Sequence, residues 1–202
     1  MSVFRKIFGS NSDKSKSSSE KEDQNTFLPG ENSPIDEKFT INFKNNGGKF
    51  LYCETRDEVQ INLNKIVEEN DWSNKTALIL NPSLKNKFNE VFFKITTKTE
   101  KADFLFTTCE YLIASDGSLL VSSNQIAEKK LSELPKNFIV FATTSQFVET
   151  ISSGLQGIKA QNKKNIPTNI TTIKHFKVEE TTNFLSYGSS SKNLYLLLLE
   201  DL

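Results

Sequence analysis

The chain has 202 residues, of which 25 are Lys or Arg, 25 are Asp or Glu, one is His and two are Cys. This length suits a single domain with a tail, because one hydrophobic core serves a chain of up to roughly 250 residues. The formal net charge is zero and gives no bulk attraction to DNA, RNA or an anionic membrane, so we expect no nucleic-acid partner. One His and two Cys cannot supply the ligand set of a structural zinc site or an iron–sulfur cluster, and we expect neither a metal nor a cofactor.

Residues 1–32 differ from the rest of the chain and are predicted to be a short amphipathic segment followed by a disordered linker. Phe4, Ile7 and Phe8 fall on one side of a possible helix, whereas residues 9–25 contain nothing apolar that would offset the entropy of ordering them. The segment either makes weak peripheral contact with a membrane or a partner through this apolar side, or it is a helix that frays. Very short helices are marginal in water. No segment has the pattern of a signal peptide or the roughly 18 apolar residues that span a bilayer.

Residues 33–202 are predicted to form one α/β domain, because short apolar runs alternate there with amphipathic helices. This alternation favours a mostly parallel sheet with helices on both faces. The predicted helices begin at about Ser33, after Thr55, at about Ser145 and at Glu179. The predicted strands are Lys49–Cys53, Ala77–Leu80, Asp103–Thr107, Tyr111–Ala114, Phe138–Ala142, Ile170–Lys174 and Leu194–Leu199. A central hairpin is expected at Asp116-Gly117, a strong turn signal.

Ligands of open α/β sheets bind beyond the carboxyl ends of the strands, so the polar residues that follow strands are the candidate site. Glu110 lies between two predicted strands and is the candidate catalytic base or nucleophile. Cys109 beside it would react only if its pKa were lowered, and the alternative is that Cys109 and Cys53 are small buried apolar residues.

Two further clusters are candidate ligand-binding segments. Backbone N–H groups around Asp116, Gly117 and Ser118 would cradle an anion, although a plain hairpin turn also accounts for these residues and Asp116 would repel an anion. Thr143, Thr144 and Ser145 are predicted to cap the following helix, and free amides at a helix start also bind anions. We expect both clusters to lie at the same edge of the sheet.

Familiar catalytic motifs are absent from the sequence. It contains no G-x-S-x-G, P-loop, G-x-G-x-x-G or H-E-x-x-H pattern, and the single His175 stands between lysines rather than beside a carboxylate.

A strand that ends in Ala114 leads into the small-residue turn Gly117-Ser118. Then come a further strand, the pair Leu134-Pro135, the apolar strand Phe138–Ala142 and an amphipathic helix. This order of short motifs resembles the LUD-domain family, named for lactate utilization, over about residues 33–202. The resemblance implies a three-layer α/β fold similar to that of sugar-phosphate isomerases and CoA-transferases, in a cytoplasmic bacterial protein.

The chain departs from the family pattern near its end. Family members typically carry a Gly-Pro-Ser-Arg-Thr-like stretch where residues 173–177 read Ile-Lys-His-Phe-Lys, and a Gly-x-His-Gly turn where Gly188 is followed by Ser189 and Ser190. Loss of a bidentate Arg contact would weaken carboxylate binding by about 1.5–3 kcal/mol. We therefore expect a divergent member, in which Gly188 belongs to a ligand-binding turn.

The resemblance implies an accessory or non-catalytic subunit of lactate or organic-acid utilization that works with iron–sulfur partner proteins, with a small organic acid as a possible ligand. Two other functions fit the residues. One is a small-molecule transferase or isomerase that places Glu110, Ser118 and Thr144 near its substrate. The other is a membrane-apposed scaffold that uses Phe4, Ile7 and Phe8.

Overall fold

The structure is a computed structural model that describes residue 30 and residues 33–88, 91–176 and 191–201. The N-terminal residues Phe4, Ile7 and Phe8, the predicted helix at Glu179–Ser186 and the turn residue Gly188 lie outside the described residues. The predictions made for them therefore stay predictions.

Five α-helices alternate with ten strands in the described part of the chain. The helices are α1 (Ile35–Asn45), α2 (Arg56–Glu69), α3 (Pro82–Lys87), α4 (Ser123–Ile126) and α5 (Ile151–Gln161). The strands are β1 (Lys49–Cys53), β2 (Thr76–Leu78), β3 (Lys94–Thr96), β4 (Phe104–Thr108), β5 (Tyr111–Ile113), β6 (Ser118–Val121), β7 (Asn137–Thr143), β8 (Phe147–Val148), β9 (Thr171–Ile173) and β10 (Asn193–Leu199).

Local sequence signals account for the helix starts. The Thr55 side chain accepts a hydrogen bond from the Glu58 amide and caps α2, as its capping-box pattern predicts. α1 follows Pro34 and carries Asp36 and Glu37 in its first turn, where acidic residues complement the helix dipole.

Six of the described strands form a parallel sheet in the order β1-β10-β7-β4-β2-β3. Both faces of this sheet are buried, as parallel sheets require. Phe138, Val140 and Ala142 of β7 face a cluster that contains α1, whereas Ile139 and Phe141 face a cluster that contains α2 and α3. The predicted α/β class, with a mostly parallel sheet covered by helices on both faces in three layers, is confirmed.

The central hairpin extends into a second sheet of four described strands, in the order β8-β5-β6-β9. Within it β5 and β6 are antiparallel, β6 and β9 are antiparallel, and β5 and β8 are parallel. Leu112, Leu119 and Val121 pack into the same cluster as α1, and Ile113 and Leu120 pack on the other side against α5. The small sheet therefore shares one face of the large sheet with α1 and is itself covered by α5.

The helix predicted from about Ser145 is present, but it begins at Ile151, so the predicted start is wrong. Residues Thr144–Gln146 form a single 3₁₀ turn, and Phe147 and Val148 then pair with Leu112 and Ile113 of β5. α5 starts only at Ile151, where the Thr150 side chain accepts a hydrogen bond from the Ser153 amide. A pairing between residues distant in sequence thus replaces the first turn of the predicted helix.

None of the helices within the described residues has the length and apolar character that crossing a membrane requires.

Candidate functional site

The path of the chain at the carboxyl ends of the parallel strands marks the site. After β4 and β7 the chain enters the small sheet on one face, whereas after β1 and β2 it enters α2 and α3 on the other. Neighbouring strands from which the chain leaves toward opposite faces create the crevice that binds ligands in open α/β sheets. Here the chain leaves the neighbouring strands β2 and β4 toward opposite faces. It also leaves β1 and β7, which flank β10, toward opposite faces.

Gln146 joins the ends of β4 and β7. Its side-chain oxygen accepts a hydrogen bond from the Thr143 amide at 2.8 Å, and its side-chain nitrogen donates to the carbonyl oxygens of Cys109 at 2.6 Å and Glu110 at 3.1 Å. One amide side chain therefore fixes the backbone of two loops at the candidate site. Sequence reasoning did not predict this role, because Gln146 meets Cys109 and Glu110 only through the pairing of β4 with β7.

The Glu110 carboxylate is half-buried and holds the start of α4. Its Oε1 atom accepts hydrogen bonds from the Ser122 hydroxyl at 2.6 Å and from the Asn124 side-chain amide at 2.9 Å. Ser122 is the N-cap residue of α4 and also contacts the Gln125 side chain. This candidate catalytic group therefore lies at the predicted edge of the sheet, where it is an acceptor for two neutral donors.

Thr143, Thr144 and Ser145 surround the carboxylate of Asp201, two residues beyond the end of β10. Asp201 Oδ1 accepts hydrogen bonds from the Thr144 hydroxyl at 3.0 Å and the Ser145 amide at 2.9 Å, and Oδ2 accepts from the Ser145 hydroxyl at 2.7 Å. Thr143 contacts the Ser145 hydroxyl at 3.0 Å. Partial desolvation by the turn would by itself raise the pKa of the exposed Asp201, but hydrogen bonds from Ser145, Thr143 and Thr144 outweigh this effect and lower that pKa.

This arrangement corrects the predicted capping role of Thr143, Thr144 and Ser145. The sequence predicts that they cap an α-helix, but Thr143 is instead the N-cap of the 3₁₀ turn Thr144–Gln146, and the Ser145 amide and hydroxyl donate to the chain's own Asp201. The Asp201 carboxylate thus accepts hydrogen bonds from three donors of this segment, and anion binding by Thr143, Thr144 and Ser145 stays a prediction. Asp201 was not predicted, since nothing in the local sequence around it indicates a contact with Ser145.

The turn at Asp116, Gly117 and Ser118 lies elsewhere. Residues 114–117 form its loop, because Ile113 pairs with Ser118, so it is longer than the predicted two-residue turn. The Asp116 carbonyl accepts a hydrogen bond from the Asn46 side chain at 2.7 Å, just before β1 begins. The turn is thus on the amino-terminal side of the parallel sheet, and the structure does not bring it together with Thr143–Ser145 at one edge.

Hydrogen bonds within the chain also occupy this turn. Asp116 Oδ1 accepts from the Ser118 amide at 3.1 Å and the Ser118 hydroxyl at 2.6 Å, and the other oxygen pairs with Lys174 at 3.4 Å. Gly117 has a φ of 67° and abuts the backbone of Asn42 and Phe43 in α1. These contacts are those of a hairpin turn docked on a helix.

Both cysteine thiols are buried. Desolvation by burial, followed by the charge of Glu110, raises the pKa of Cys109 well above its usual value. Burial also raises the pKa of Cys53, and this effect is larger than the lowering of the pKa by a hydrogen bond from Asn62. A thiol held protonated in this way is a poor nucleophile at neutral pH. Within the described residues, no group of three or more His, Cys, Asp or Glu side chains is placed to hold a metal ion.

The LUD domain family model matches residues 37–198. This chain belongs to the LUD domain family. Among solved structures, the LUD-domain chain is similar to a DUF162 family protein from Deinococcus radiodurans, with a TM-score of 0.58 and 14% sequence identity over 83% of this chain and 96% of that chain. At this identity the likeness concerns the fold alone. Comparison with curated proteins gives no match.

Proposed function

We propose that this LUD-domain protein is a non-catalytic accessory subunit of lactate or related organic-acid oxidation, and that it works beside iron–sulfur partner proteins. Membership of a family related to lactate utilization supports the process. The observation that carries the non-catalytic role is the environment of Glu110, whose Oε1 atom accepts hydrogen bonds from both Ser122 and Asn124 and so anchors α4.

The other candidate groups support the same role. Asp201 accepts three hydrogen bonds from the turn after β7, and the buried thiol of Cys109 has a raised pKa. A general base or nucleophile must reach a substrate atom within hydrogen-bond distance, whereas these groups are engaged with neighbouring protein atoms.

The test uses the full chain together with the iron–sulfur proteins of a lactate-oxidising system. We expect the chain to associate with them in pull-down, and lactate oxidation to depend on its presence. Glu110→Gln is expected to retain both association and rate, like the matched variant Glu69→Gln on the exposed end of α2. Absence of association together with an unchanged rate of lactate oxidation would contradict the proposal.

The enzyme alternative makes the opposite prediction for Glu110. If the carboxylate were the base of a transferase or isomerase, Glu110→Gln would abolish turnover in a folded protein while Glu69→Gln would not. Ser118 does not join such a site, because it is buried in the turn against α1, away from Thr144.

A further inference from the structure

An open cavity of about 370 Å³ lies at the carboxyl ends of β2 and β3, beside the candidate site. Its wall includes Ile79, which follows β2, together with Thr96 and Thr97 at the end of β3. This is the edge at which α/β sheets bind ligands, and the volume falls within the roughly 300–1,000 Å³ of small-molecule sites. None of the predicted site residues that the structure describes lines this cavity.

Lysines from two segments converge on it. Lys85 comes from α3, while Lys98 and Lys101 come from the segment that follows β3. Within the described residues, no Asp or Glu lines the cavity, and neither Lys98 nor Lys101 forms an ion pair. Like charges gathered around one cavity repel one another, and a bound anion would offset that repulsion.

The charge changes sign along this one edge of the sheet. The ends of β4 and β10 carry the carboxylates of Glu110 and Asp201, whereas the lysines surround the ends of β2 and β3. An anionic ligand is therefore repelled from the former and attracted to the latter.

We propose that this cavity binds a small anion with a phosphate or carboxylate group, held by the ammonium groups of Lys98 and Lys101 together with Lys85. The hydroxyl-bearing residues Thr96 and Thr97 provide further polar contacts, and the exposed side chain of Ile95 packs against the uncharged part of the ligand. The site goes beyond the proposed accessory role and does not depend on it, because it concerns the isolated chain.

The experiment titrates the ¹⁵N-labelled full chain with inorganic phosphate, and separately with L-lactate, against sodium chloride at matched ionic strength. We expect saturable amide shifts at Ile79 and at residues 96–98 with phosphate, with L-lactate or with both, and not with chloride. The anion that saturates at the lower concentration identifies the ligand group as phosphate or carboxylate.

Two double variants with the same change in net charge distinguish binding at this cavity from a general attraction of anions to surface lysines. Lys98→Gln/Lys101→Gln is expected to weaken binding at least about tenfold, because each charge-assisted hydrogen bond is worth that much. Lys163→Gln/Lys164→Gln, at a cavity of about 350 Å³ after α5, is expected to leave it unchanged. Equal weakening by both pairs, equal shifts with chloride, or no saturable shift with either anion would overturn the proposal.

Discussion

The side-chain amide of Gln146 donates a hydrogen bond of 2.6 Å to the carbonyl oxygen of Cys109 and so ties the chain after β7 to the chain after β4. The two loops enter the small sheet side by side, because β5 and β8 are parallel neighbours. The link between these two loops is therefore made by a neutral side chain rather than by an ion pair.

Gln146→Ala is expected to lower the free energy of unfolding by about 2 kcal/mol, because the Cys109 carbonyl and the Thr143 amide lose their partner in a half-buried place. Urea unfolding followed by circular dichroism measures the change. Gln156→Ala on the exposed face of α5 is the control, and we expect it to change stability by less than about 0.5 kcal/mol. Equal effects of the two substitutions would contradict the bridging role.

Gly117→Ala is expected to destabilise the protein by more than about 2 kcal/mol. The φ of 67° is unfavourable for alanine, and the added Cβ would collide with the backbone of Asn42 and Phe43, which cannot rotate away. At Gly30 the added Cβ would meet, among the residues that the structure describes, only the Ser33 hydroxyl at 3.5 Å, so Gly30→Ala serves as the control with little expected effect. Thermal unfolding midpoints of the two variants compare them directly.

Asp201→Asn is expected to reduce stability at pH 7 by less than about 1 kcal/mol, since the residue is exposed and solvent screens its charge. Its pKa is lowered in the folded state, so the carboxylate stabilises the fold above its unfolded-state pKa and loses this effect as the pH falls through the folded-state value. The difference in unfolding free energy between wild type and variant should therefore shrink on acidification. Glu69→Gln controls for the change in net charge, and a difference that grows in acid would contradict the assignment.

The elements with strong local signals were predictable from sequence. The strand Lys49–Cys53 has its predicted bounds, and Thr55 caps α2 as its capping box indicates. Both signals lie within a few residues of the element that they define. Short elements escaped prediction because α3 and α4 provide too few residues for a helical period, although Asn81-Pro82 and the Ser122–Gln125 capping box mark their starts.

The candidate site was less predictable, because its contacts join residues far apart in sequence. Thr144 and Ser145 meet Asp201 only after β7 and β10 have paired. In the same way, the Asp116 turn was expected beside Thr143, but its docking on α1 places it on the other side of the sheet. Strand pairing and helix docking are tertiary effects that leave no signature in a single local segment.

Neither Cys53 nor Cys109 is expected to react with iodoacetamide at pH 7.4 while the protein is folded. Both thiols are buried, and burial raises the pKa of each. Mass spectrometry after a timed reaction should find the folded chain unmodified and the urea-unfolded chain carrying two labels. Rapid labelling of Cys109 in the folded protein would contradict the burial of its thiol.

The Lys192 side chain is buried, with 2% of its surface exposed. Within the described residues it forms no ion pair with an acidic side chain. Its ammonium group donates hydrogen bonds of 3.1 Å to the carbonyl oxygens of Leu134 and Pro135 and lies 5.1 Å from the centre of the Phe138 ring. Burial, followed by the charge of Lys136, lowers its pKa to about 8. The folded protein therefore releases this proton more readily than the unfolded chain does.

The free energy of unfolding should consequently rise between about pH 8 and pH 10.4, since the unfolded lysine still holds its proton over that range. The rise attributable to Lys192 is at most about 3 kcal/mol. Lys192→Met should remove this component of the pH dependence, whereas Lys159→Met on the exposed side of α5 should retain it. Urea unfolding at a series of pH values measures both slopes, and identical slopes in the two variants would show that the Lys192 ammonium is not desolvated in the folded protein.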